Sequence, residues 1–478
     1  MSSLMNVSSP LLQGMKWERV LGYAETRPSK SMVAYPKNRE DLLQVLDYAE
    51  RNILTVGAKG SGYTYGDMIQ NDRHIMLDLS LMNEIKSWDS SSGKIVVEPG
   101  VTFAQIFYQC LPQNWTLSSC PGGLHVTIGG AIANNVHGKD SWSQGNFGTQ
   151  VESMKLLTSG GELMNISAEE HPELFEATIG GMGLTGIILE ATLKLRAIPS
   201  PFVRSISTVS RDCDEMVDLL EAAKDDADFS VAWVDTFPRG PSMGRGFVTK
   251  AHWLETDKKL DLEAFKQSLV IPSRIFGILP SEPTWFMARP FFGPKGIRLA
   301  NWANFHRSRM SSPRGVSKPV DQMFTSYNFM HNRIPNIKHV YRPHGFLEFQ
   351  PLIPKSAGKS AVRDLFLLCQ KLGYESLLCG VKMHQEDSYP LSYSGEGYSI
   401  GVDVQLRGRP IHEVEAFATE IFNFTESHGG KVYLAKDEML DKRTFRRMYP
   451  RVDDFMVLKR AIDPKGLLAS DLYRRLFL

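Results

Sequence analysis

Two stretches of small residues are the first candidates for chemistry in this sequence. One is the glycine-rich run GAKGSGYTYGD at residues 57–67, and the other is PGGLHVTIGGAIANNVHGK at residues 121–139. Successive glycines let the backbone turn with positive φ and direct its N–H groups inward, which makes a nest for an anion. Small side chains also let the backbone lie against a flat ligand. Together the two stretches predict a site for a flat cofactor that carries phosphate.

A tight turn between strands is the plain alternative for the first stretch, because glycine clusters usually mark turns. That alternative explains a pair of glycines better than it explains small residues in two separated segments. The first stretch also lacks the GK[ST] ending of a Walker loop, which disfavours an ATPase. His137, in the second stretch, is a candidate proton acceptor or a group that orients a cofactor, and a structural histidine is its alternative.

A literal GxGxxG pattern occurs at residues 181–186. A dinucleotide fingerprint needs a strand before the glycines and a helix after them, so that phosphate meets the helix N-terminus. Here a helical pattern, ELFEATIG, comes first and the strand-like LTGIILEATLKLRAIP follows. Because this order is reversed, the sequence predicts no NAD site there.

The elements around these stretches alternate between helix and strand over the first 200 residues. Apolar spacing predicts a helix that Asn38 begins and that ends at about Arg51. Thr102 and Gln105 have the spacing of a capping box for a second helix. The pattern then changes, and an irregular region at about 255–330, rich in Pro, Phe, Trp and Arg, is predicted to form loops of a second domain.

Composition excludes several classes of protein. A chain of 478 residues, 42% hydrophobic and 22% charged, is globular and long enough for two domains. Its net charge of +1 gives no reason to expect a nucleic-acid partner. The 5 cysteines are scattered without a CxxC pair, which argues against disulfides and a zinc ribbon, so no metal site is predicted. The N-terminus lacks a secretory pattern and no run of about 18 apolar residues occurs, so we expect a cytoplasmic protein.

Motifs in both halves of the chain resemble those of one family. The two glycine-rich stretches resemble the PCMH-type FAD-binding domain of the vanillyl-alcohol-oxidase superfamily. With ELFEATIGGMGLTGII, GFLEFQPLIP, GGKVYLAKD, MYPRVDDF and LLASDLYRRL in the right order, the chain resembles more closely the decaprenylphosphoryl-β-D-ribose oxidase family. The resemblance thins at residues 240–325. It implies an α+β fold with an FAD-binding domain at 1–200, a substrate-binding domain with an antiparallel sheet at 201–429, and a segment at 430–478 that returns to the first domain.

The resemblance also implies which residues hold FAD. They lie in the two glycine-rich stretches or in strands beside the flavin: Ala58, Lys59, Gly60, Ser61, Gly62, Tyr63, Thr64, Tyr65, Gly66, Asp67, Met68, Gly122, Thr127, Ile128, Gly129, Gly130, Asn134, Asn135, Val136, His137, Ile188 and Tyr433. Several members of the superfamily attach FAD to a histidine beside the glycine-rich loop, and this chain has Tyr63 there. Tyrosine cannot form the histidyl bond, so we expect FAD that dissociates.

Two residues are candidates for catalysis. Lys436, in YLAKD, is placed beside the flavin by the resemblance, and a fixed cation there would stabilise negative charge on the reduced ring. An ordinary surface lysine is the alternative. His137 is the other candidate. By resemblance, the sugar and its phosphate would contact a further group of residues: Lys139, Tyr65, Tyr327, Glu348, Gln350, Lys382 and Gly401.

Three places depart from the family pattern. The family motif GW-N-I-C-VD reads GYSIGVD here, with Gly401 in place of the cysteine and Ser399 in place of the asparagine. Glu348 stands where the family has Gln, and Val231 stands where it has Ser. The missing cysteine should remove reactivity toward thiol-directed inhibitors, and the other changes alter polar contacts to the sugar.

The implied reaction oxidises a secondary hydroxyl of a polyprenyl-phosphate-linked pentofuranose to a keto sugar. It is the first half of an epimerisation that a separate NAD(P)H-dependent short-chain reductase completes. Two alternatives stay open: a free-sugar or sugar-lactone oxidase of the same fold, and a flavin-binding protein without catalysis. The aromatic, basic stretch at 273–309 also has two interpretations, a surface that meets a membrane or loops inside the substrate domain.

Overall fold

The computed structural model describes residues 9–275, 278–312, 314–329 and 335–478. Parts of two sequence predictions lie outside the described residues: the secretory-signal prediction at residues 1–8, and the 273–309 stretch at residues 276–277. Within the described ranges, no helix is long and apolar enough to cross a membrane.

The strands are numbered in chain order. They are β1 (Lys16–Val20), β2 (Ser29–Ala34), β3 (Val56–Lys59), β4 (Ile75–Asp78), β5 (Ile85–Asp89), β6 (Lys94–Val97), β7 (Trp115–Thr116), β8 (Val151–Leu157), β9 (Leu163–Ser167), β10 (Ile187–Lys194), β11 (Arg196–Ala197), β12 (Phe202–Ser210), β13 (Phe229–Val234), β14 (Gly246–Trp253), β15 (Arg274–Ile275), β16 (Leu279–Pro280), β17 (Val320–Met323), β18 (Phe346–Phe349), β19 (Pro351–Pro354), β20 (Cys379–His384), β21 (Gly397–Ile400), β22 (Val402–Gln405) and β23 (Lys431–Val432).

The α-helices are numbered in the same way. They are α1 (Pro10–Gly14), α2 (Arg39–Arg51), α3 (Phe103–Cys110), α4 (Ile128–Ala133), α5 (Ser141–Gln144), α6 (Pro172–Thr178), α7 (Cys213–Ala222), α8 (Leu262–Ser268), α9 (Ser281–Ala288), α10 (Pro294–Ser311), α11 (Phe324–Asn328), α12 (Gly358–Leu372), α13 (Ile411–Ser427), α14 (Lys442–Met448), α15 (Val452–Ile462) and α16 (Asp471–Phe477).

Three main sheets organise these elements. The first, in the order β1-β2-β4-β3, contains the parallel pairs β2/β4 and β4/β3, and the second, β5-β6-β10-β8-β9, is antiparallel. Both are built from the first 200 residues. The third is an antiparallel sheet in the order β17-β12-β14-β13-β20-β21-β19-β23, built from later residues. The predicted α+β fold with an antiparallel sheet is confirmed, whereas the division into domains stays a prediction.

Polar caps set where the first long helices begin. Asp41 N donates to Asn38 Oδ1 at 2.9 Å, which satisfies a free N–H at the start of α2. Thr102 and Gln105 form the predicted capping box at the start of α3. A cap of this kind stabilises a helix by about 1 kcal/mol. The apolar faces of both helices are buried, so local signals and packing agree.

The prediction of loops at 255–330 is wrong for much of the part that the structure describes. α8, α9 and α10 lie in it, and α10 alone extends over 18 residues. Pro294 occupies the first turn of α10, where its missing N–H would have had no partner in any case. Trp285 of α9 and Ile297 of α10 are buried, so these helices add to the core.

The C-terminal segment packs against the first sheet. Val56 N donates to Leu467 O at 2.7 Å, and Ala469 N donates to Val56 O at 3.0 Å. Arg475, in α16, donates to both carboxylate oxygens of Asp67 at 2.8 and 2.9 Å. Because Asp67 ends the first glycine-rich stretch, α16 holds that stretch in place.

Candidate active site

The two glycine-rich stretches meet at Gly60 and Thr127. A Cβ built on Gly60 would lie 2.1 Å from Thr127 Oγ1, so glycine allows this close approach. Thr127 is the cap of α4, since its hydroxyl accepts a hydrogen bond from Gly130 N at 3.4 Å. The structure thus brings together the two segments that the sequence predicts to share one ligand.

The backbone beside this junction has room for a flat group that carries phosphate. Gly62 has a φ of +78°, and no atom lies within 4 Å of a Cβ built on it. Glycine adopts this φ freely and can direct its N–H toward an anion. Asn134 Oδ1, at the other end of α4, is buried and has no hydrogen-bond partner among the described residues. A buried polar atom without a partner suits a ligand contact, so the residues present fit the predicted cofactor.

The first stretch continues from this junction to Lys436. Tyr65 N donates to Ala435 O at 2.9 Å, and a Cβ built on Gly66 would lie 2.3 Å from Asp437 O. This close backbone contact places Lys436 Nζ 4.5 Å from the centre of the Tyr65 ring. The stretch and the YLAKD motif, far apart in sequence, therefore form one wall.

Alternation along four strands brings other predicted residues to the same site. Every second side chain of a strand points to one side. Residues 382 and 384 of β20 therefore share a side. The same alternation relates residue 399 of β21, residue 401 between the two strands, and residue 403 of β22. β20 pairs with β21 so that Lys382 is opposite Ser399. β18 pairs with β22 so that Glu348 is opposite Asp403. The two pairings gather side chains from both strand pairs around one space.

One part of the site, here named the carboxyl half, consists of Glu348, Asp403 and Lys436. Lys436 Nζ contacts Glu348 Oε1, and the two side chains are 20% and 11% exposed. Burial, and then the charge of Glu348, raise the pKa of Asp403 well above its usual value. Burial also raises the pKa of Tyr65, which lies against Lys436. The carboxyl half therefore holds one ion pair beside a carboxyl group that binds its proton more tightly than a free one.

The other part, here named the lysine half, consists of Lys139, Lys382 and Tyr327. Lys139 Nζ donates to Tyr327 O at 2.9 Å and lies 4.1 Å from the centre of the Tyr327 ring. Burial, and then the charge of Lys382, lower the pKa of Lys139 to about 7. Burial, and then the charge of Lys436, lower the pKa of Lys382 to about 8. Within the described residues, neither Lys139 nor Lys382 forms an ion pair with a carboxylate.

His137 is buried within reach of both halves. Its ring centre lies 4.7 Å from that of His384 and 5.1 Å from that of Tyr433. Burial, and then the charges of Lys382, His384 and Lys436, lower the pKa of His137 well below 6.5. Burial likewise lowers the pKa of His384 to about 3. Both imidazoles are neutral at neutral pH, which suits His137 for hydrogen bonding and makes it a weak proton acceptor.

Three residues predicted to hold the cofactor use their side chains within the protein. Lys59 forms an ion pair with Asp78. Asp67 binds Arg475. The Asn135 amide makes hydrogen bonds at 2.7, 2.8 and 2.9 Å to neighbouring segments. At these positions only the backbone is left to face a ligand.

The other predicted residues lie along the same walls, and their contacts with cofactor or sugar stay predictions. The buried ones are Thr64, Gly66, Met68, Thr127, Ile128, Gly129, Val136, Ile188, Tyr327, Gln350, Gly401 and Tyr433. The half-buried ones are Ala58, Gly60, Gly62, Tyr63, Tyr65, Gly122, Gly130 and Asn134, and Ser61 is exposed.

Two residues of the site, Asp403 and His384, are absent from the sequence predictions. Asp403 follows Gly401 by two residues, and His384 follows Lys382 by two. The period of two along a strand is the signal that would have found both. It applies only once the strands are known to border the site.

Comparison with known proteins agrees with this geometry. Residues 30–167 match the family model of an FAD binding domain. The decaprenylphosphoryl-β-D-ribose oxidase of Mycolicibacterium smegmatis is 31% identical over 471 residues, which is 96% of this chain and 97% of that protein. The chain belongs to the decaprenylphosphoryl-β-D-ribose oxidase family.

More distant relatives place this family among flavin oxidoreductases. The L-gulono-1,4-lactone dehydrogenase of Mycobacterium tuberculosis is 21% identical over 93% of this chain and 95% of its own length. The L-gulonolactone oxidase of Bos taurus is 28% identical, but over only 37% of this chain and 39% of its own length. A decaprenylphosphoryl-β-D-ribose oxidase family member with the matched domain is an FAD-dependent oxidoreductase, as the sequence predicts.

Proposed function

We propose that the protein oxidises a secondary hydroxyl of a polyprenyl-phosphate-linked pentofuranose to a keto sugar. The observation that carries the proposal is the arrangement of the site, in which two largely buried lysines, without a carboxylate partner in the part of the chain that the structure describes, lie beside a carboxyl–lysine pair. Cations without internal partners suit the phosphodiester of a lipid-linked sugar. The mycobacterial relative is named for a substrate of this class.

The junction of the two glycine-rich stretches would hold the FAD pyrophosphate. The backbone N–H groups around Gly60 and Gly62 would bind its oxygens, and Asn134 would bind the flavin end. FAD bound there supplies the acceptor for the hydride that leaves the carbinol carbon. Tyr63, at the position of the linking histidine in other members, supports FAD that is bound without a covalent bond.

Lys436 would supply a fixed positive charge at the reacting centre. Its contacts with Glu348 and the Tyr65 ring hold Nζ in one place before the reaction begins. A charge fixed in advance stabilises negative charge that develops during oxidation without reorganisation. His137, neutral and buried, would orient the cofactor or the sugar through hydrogen bonds.

A second protein would complete an epimerisation. Reduction of the keto group from the opposite side inverts the carbon, and this needs a hydride donor such as NAD(P)H. The GxGxxG pattern at 181–186 lies between α6 and β10, in the wrong order for a dinucleotide fingerprint. We therefore assign that reduction to a separate NAD(P)H-dependent short-chain reductase.

α10 has two apolar stripes, and only one of them is covered. Ile297 and Phe305 are buried. Leu299, Trp302 and Met310 are 66%, 51% and 83% exposed. Their spacing puts them together on another side of the helix. An exposed apolar stripe of this size is typical of a surface that meets a partner or a membrane.

The charge and the position of this surface favour a membrane. Residues 281–311 contain 5 Lys or Arg residues and a single acidic one, Glu282. Basic and apolar side chains together bind anionic bilayers. α9 and α10 pack through Trp285 and Ile297 onto the cluster that includes Tyr341 and Phe346, next to Tyr65 of the site. We extend the proposal to peripheral contact of this surface with the bilayer that carries the substrate.

The test begins with a visible spectrum of the purified protein, followed by anaerobic addition of a polyprenylphosphoryl ribose with a short prenyl chain. Flavin bands that bleach on addition support the proposed reaction, and flavin released by denaturation supports non-covalent binding. Bleaching by soluble aldonolactones alone would favour a sugar-lactone oxidase. Bands that no sugar bleaches would favour a flavin-binding protein without catalysis. A protein that never shows flavin bands would contradict the proposal altogether.

A further inference from the structure

Two carboxyl groups face each other inside the site. β18 and β22 pair antiparallel and place Glu348 directly opposite Asp403. Directly opposed residues leave the same side of a sheet with their Cβ atoms about 5 Å apart. Lys436 Nζ contacts Glu348 Oε1, so only one member of the pair has a cation.

The pair holds one proton at neutral pH. Two carboxylates at this separation repel each other strongly, so they do not both ionise. Asp403 Oδ1 is buried and has no hydrogen-bond partner among the described residues. An ionised oxygen buried without a donor is costly, whereas Glu348 has the Lys436 ammonium group beside it. The proton therefore resides on Asp403 and the negative charge on Glu348.

The titratable groups around Glu348 and Asp403 do not change which of the two carries the proton and which the negative charge. The titratable groups that act on the pair are Lys436, Lys382, Tyr65, Tyr23, Tyr341, Tyr393 and Cys379. Burial raises the pKa of each of these tyrosines and of the thiol, so all of them are neutral at neutral pH. Within the described ranges, the charged groups that act with Glu348 are then the two lysines.

Position 401 leaves the Glu348 carboxylate accessible to a ligand. A Cβ built on Gly401 would lie 3.4 Å from Glu348 Oε1, and the next nearest atom is Gly380 O at 3.7 Å. A small side chain at 401 would therefore only touch this oxygen, whereas a large one would cover it. With glycine there, a hydroxyl group of a ligand has room to reach it.

We propose that Glu348 is the proton acceptor for the substrate hydroxyl, with Lys436 holding the carboxylate and Asp403 holding the neighbouring proton. The inference rests on the proposed oxidation. As the O–H bond of the substrate breaks, its proton goes to a carboxylate oxygen of Glu348. The substrate oxygen keeps the electron pair of that bond, which becomes the second C–O bond of the ketone. The hydrogen of the carbinol C–H bond would leave with its electron pair as hydride, which FAD, when bound, would accept. Glu348 then returns its proton to solvent.

His137 is less suited to this task. Its pKa is well below 6.5, because it is buried among cations and another imidazole. A carboxylate beside a lysine keeps its negative charge, and that charge attracts the proton of an alcohol held against it. The residue type at 348 thus decides whether the site contains an ionised base.

The first test compares Glu348→Gln with the unchanged protein in anaerobic flavin reduction by the same short-chain polyprenylphosphoryl ribose across pH. The amide keeps the shape and removes the base, so we expect a rate about 10²- to 10⁴-fold lower, without the fall at acid pH that the carboxylate produces. KM should change only a few-fold. An E348Q protein that keeps its rate and its pH profile would overturn the inference.

Two further variants separate catalysis from a structural role. Glu348→Asp keeps a carboxylate, so it should recover part of the rate and the fall at acid pH. Asp403→Asn keeps Glu348 and should keep that fall too. If E348D is as slow as E348Q and both lose flavin content or thermal stability, Glu348 is structural and the inference fails.

An infrared measurement tests the pair without any substrate. The unchanged protein should show the C=O band of a protonated carboxylic acid at neutral pH. Other buried carboxyl groups add to this band, since burial raises the pKa of Glu438 to about 7. D403N should therefore lose only the part of the band that comes from Asp403. In E348Q that part should disappear at a lower pH, because the repelling carboxylate is gone. A D403N spectrum identical to that of the unchanged protein would contradict the pair. If the short-chain substrate fails to bleach the flavin of the unchanged protein, the proposed function is wrong, but the role of Glu348 is still testable. The E348Q comparison is then made with whichever sugar does bleach the flavin.

Discussion

The carboxyl half and the lysine half handle buried charge in opposite ways. In the carboxyl half, Lys436 is paired with Glu348, and burial raises the pKa of Asp403. In the lysine half, Lys139 donates, among the described residues, to the backbone carbonyl oxygens of Tyr327 and Asn328, and burial lowers its pKa to about 7. Pairing within the chain keeps a group charged and fixed for chemistry. Unpaired cations, in contrast, gain most from an anion that a ligand brings.

The strongest test of this contrast removes one cation of the lysine half. In Lys382→Met we expect KM for the short-chain polyprenylphosphoryl ribose to rise about a hundredfold, because losing a buried charged partner costs about 2–5 kcal/mol. The rate of flavin reduction at saturation should change much less. Steady-state kinetics measures both.

Two controls sharpen this test. Lys371→Met removes an exposed lysine and should leave KM unchanged. Methyl β-D-ribofuranoside has no phosphate, so its reactivity should respond to E348Q and not to K382M. Equal effects of K382M on both sugars would mean that Lys382 does not bind the phosphate.

A pH titration gives the next largest effect. The pKa values of Lys139 and Lys382 are lowered to about 7 and about 8. A phosphodiester favours the protonated lysines and raises both values on binding. The affinity for the substrate should therefore be highest below pH 7. As the pH rises from the pKa of each free lysine to the pKa of the same lysine in the complex, the affinity should fall by up to about tenfold per pH unit. Binding should take up protons in that interval.

Isothermal titration calorimetry in buffers of different ionisation enthalpy measures that proton uptake, with the protein kept reduced under anaerobic conditions so that the short-chain substrate binds without being oxidised. In K382M the uptake should fall. Affinity that is flat between pH 7 and pH 9 would show that the lysine half does not bind the anion.

Several parts of the fold were accessible from the sequence because their causes are local. Asn38 and Thr102 begin helices through hydrogen bonds to residues three positions away. The glycine-rich stretches were also accessible, since few uses other than a close ligand explain so many small residues. The helical character of 281–311 was not, because its exposed apolar side chains and its prolines hide the spacing of the buried face.

The site residues that the sequence analysis did not identify depend on contacts between distant segments, which the sequence does not display. Asp403 becomes important only because the register of β18 and β22 puts it opposite Glu348. Asp67 is predicted as a cofactor residue, and the structure adds that its side chain binds Arg475. Neither fact follows from a local pattern, because each joins distant segments.

A variant of the exposed apolar stripe on α10 tests whether this surface binds a membrane. In a Leu299→Ser, Trp302→Ser variant we expect binding to vesicles of anionic lipid to weaken about tenfold or more, because each apolar side chain contributes about 1–2 kcal/mol. Vesicle sedimentation measures it. Flavin content and flavin reduction by a soluble short-chain substrate should stay unchanged.

The matched control replaces exposed apolar residues elsewhere. Ile53 and Val457 are 91% and 66% exposed, and their replacement by serine should not weaken vesicle binding. Equal loss in both variants, or no loss in either, would remove the membrane from the proposal.

The smallest effect is expected from Gly401→Cys. This change introduces, next to the carboxyl half, the cysteine that the resemblance implies for the family. A Cβ there makes ordinary contacts, so flavin reduction should fall only a few-fold. All 5 cysteines of the chain are buried. The variant should therefore gain one site that reacts with thiol-directed reagents, visible as a mass increase. A variant that stays unreactive would place Gly401 outside the accessible site.

The bond between Asp67 and Arg475 has a consequence for how the protein is made. The two residues are 408 positions apart, so the glycine-rich stretch leaves the ribosome long before its anchor exists. At about 5–20 residues per second, the wait is roughly 20–80 s. During that time the nascent N-terminal part lacks the contact that holds the glycine-rich stretch in place. We therefore expect the flavin to bind late in biosynthesis, and free FAD should protect newly made chains from proteolysis only after α16 has emerged.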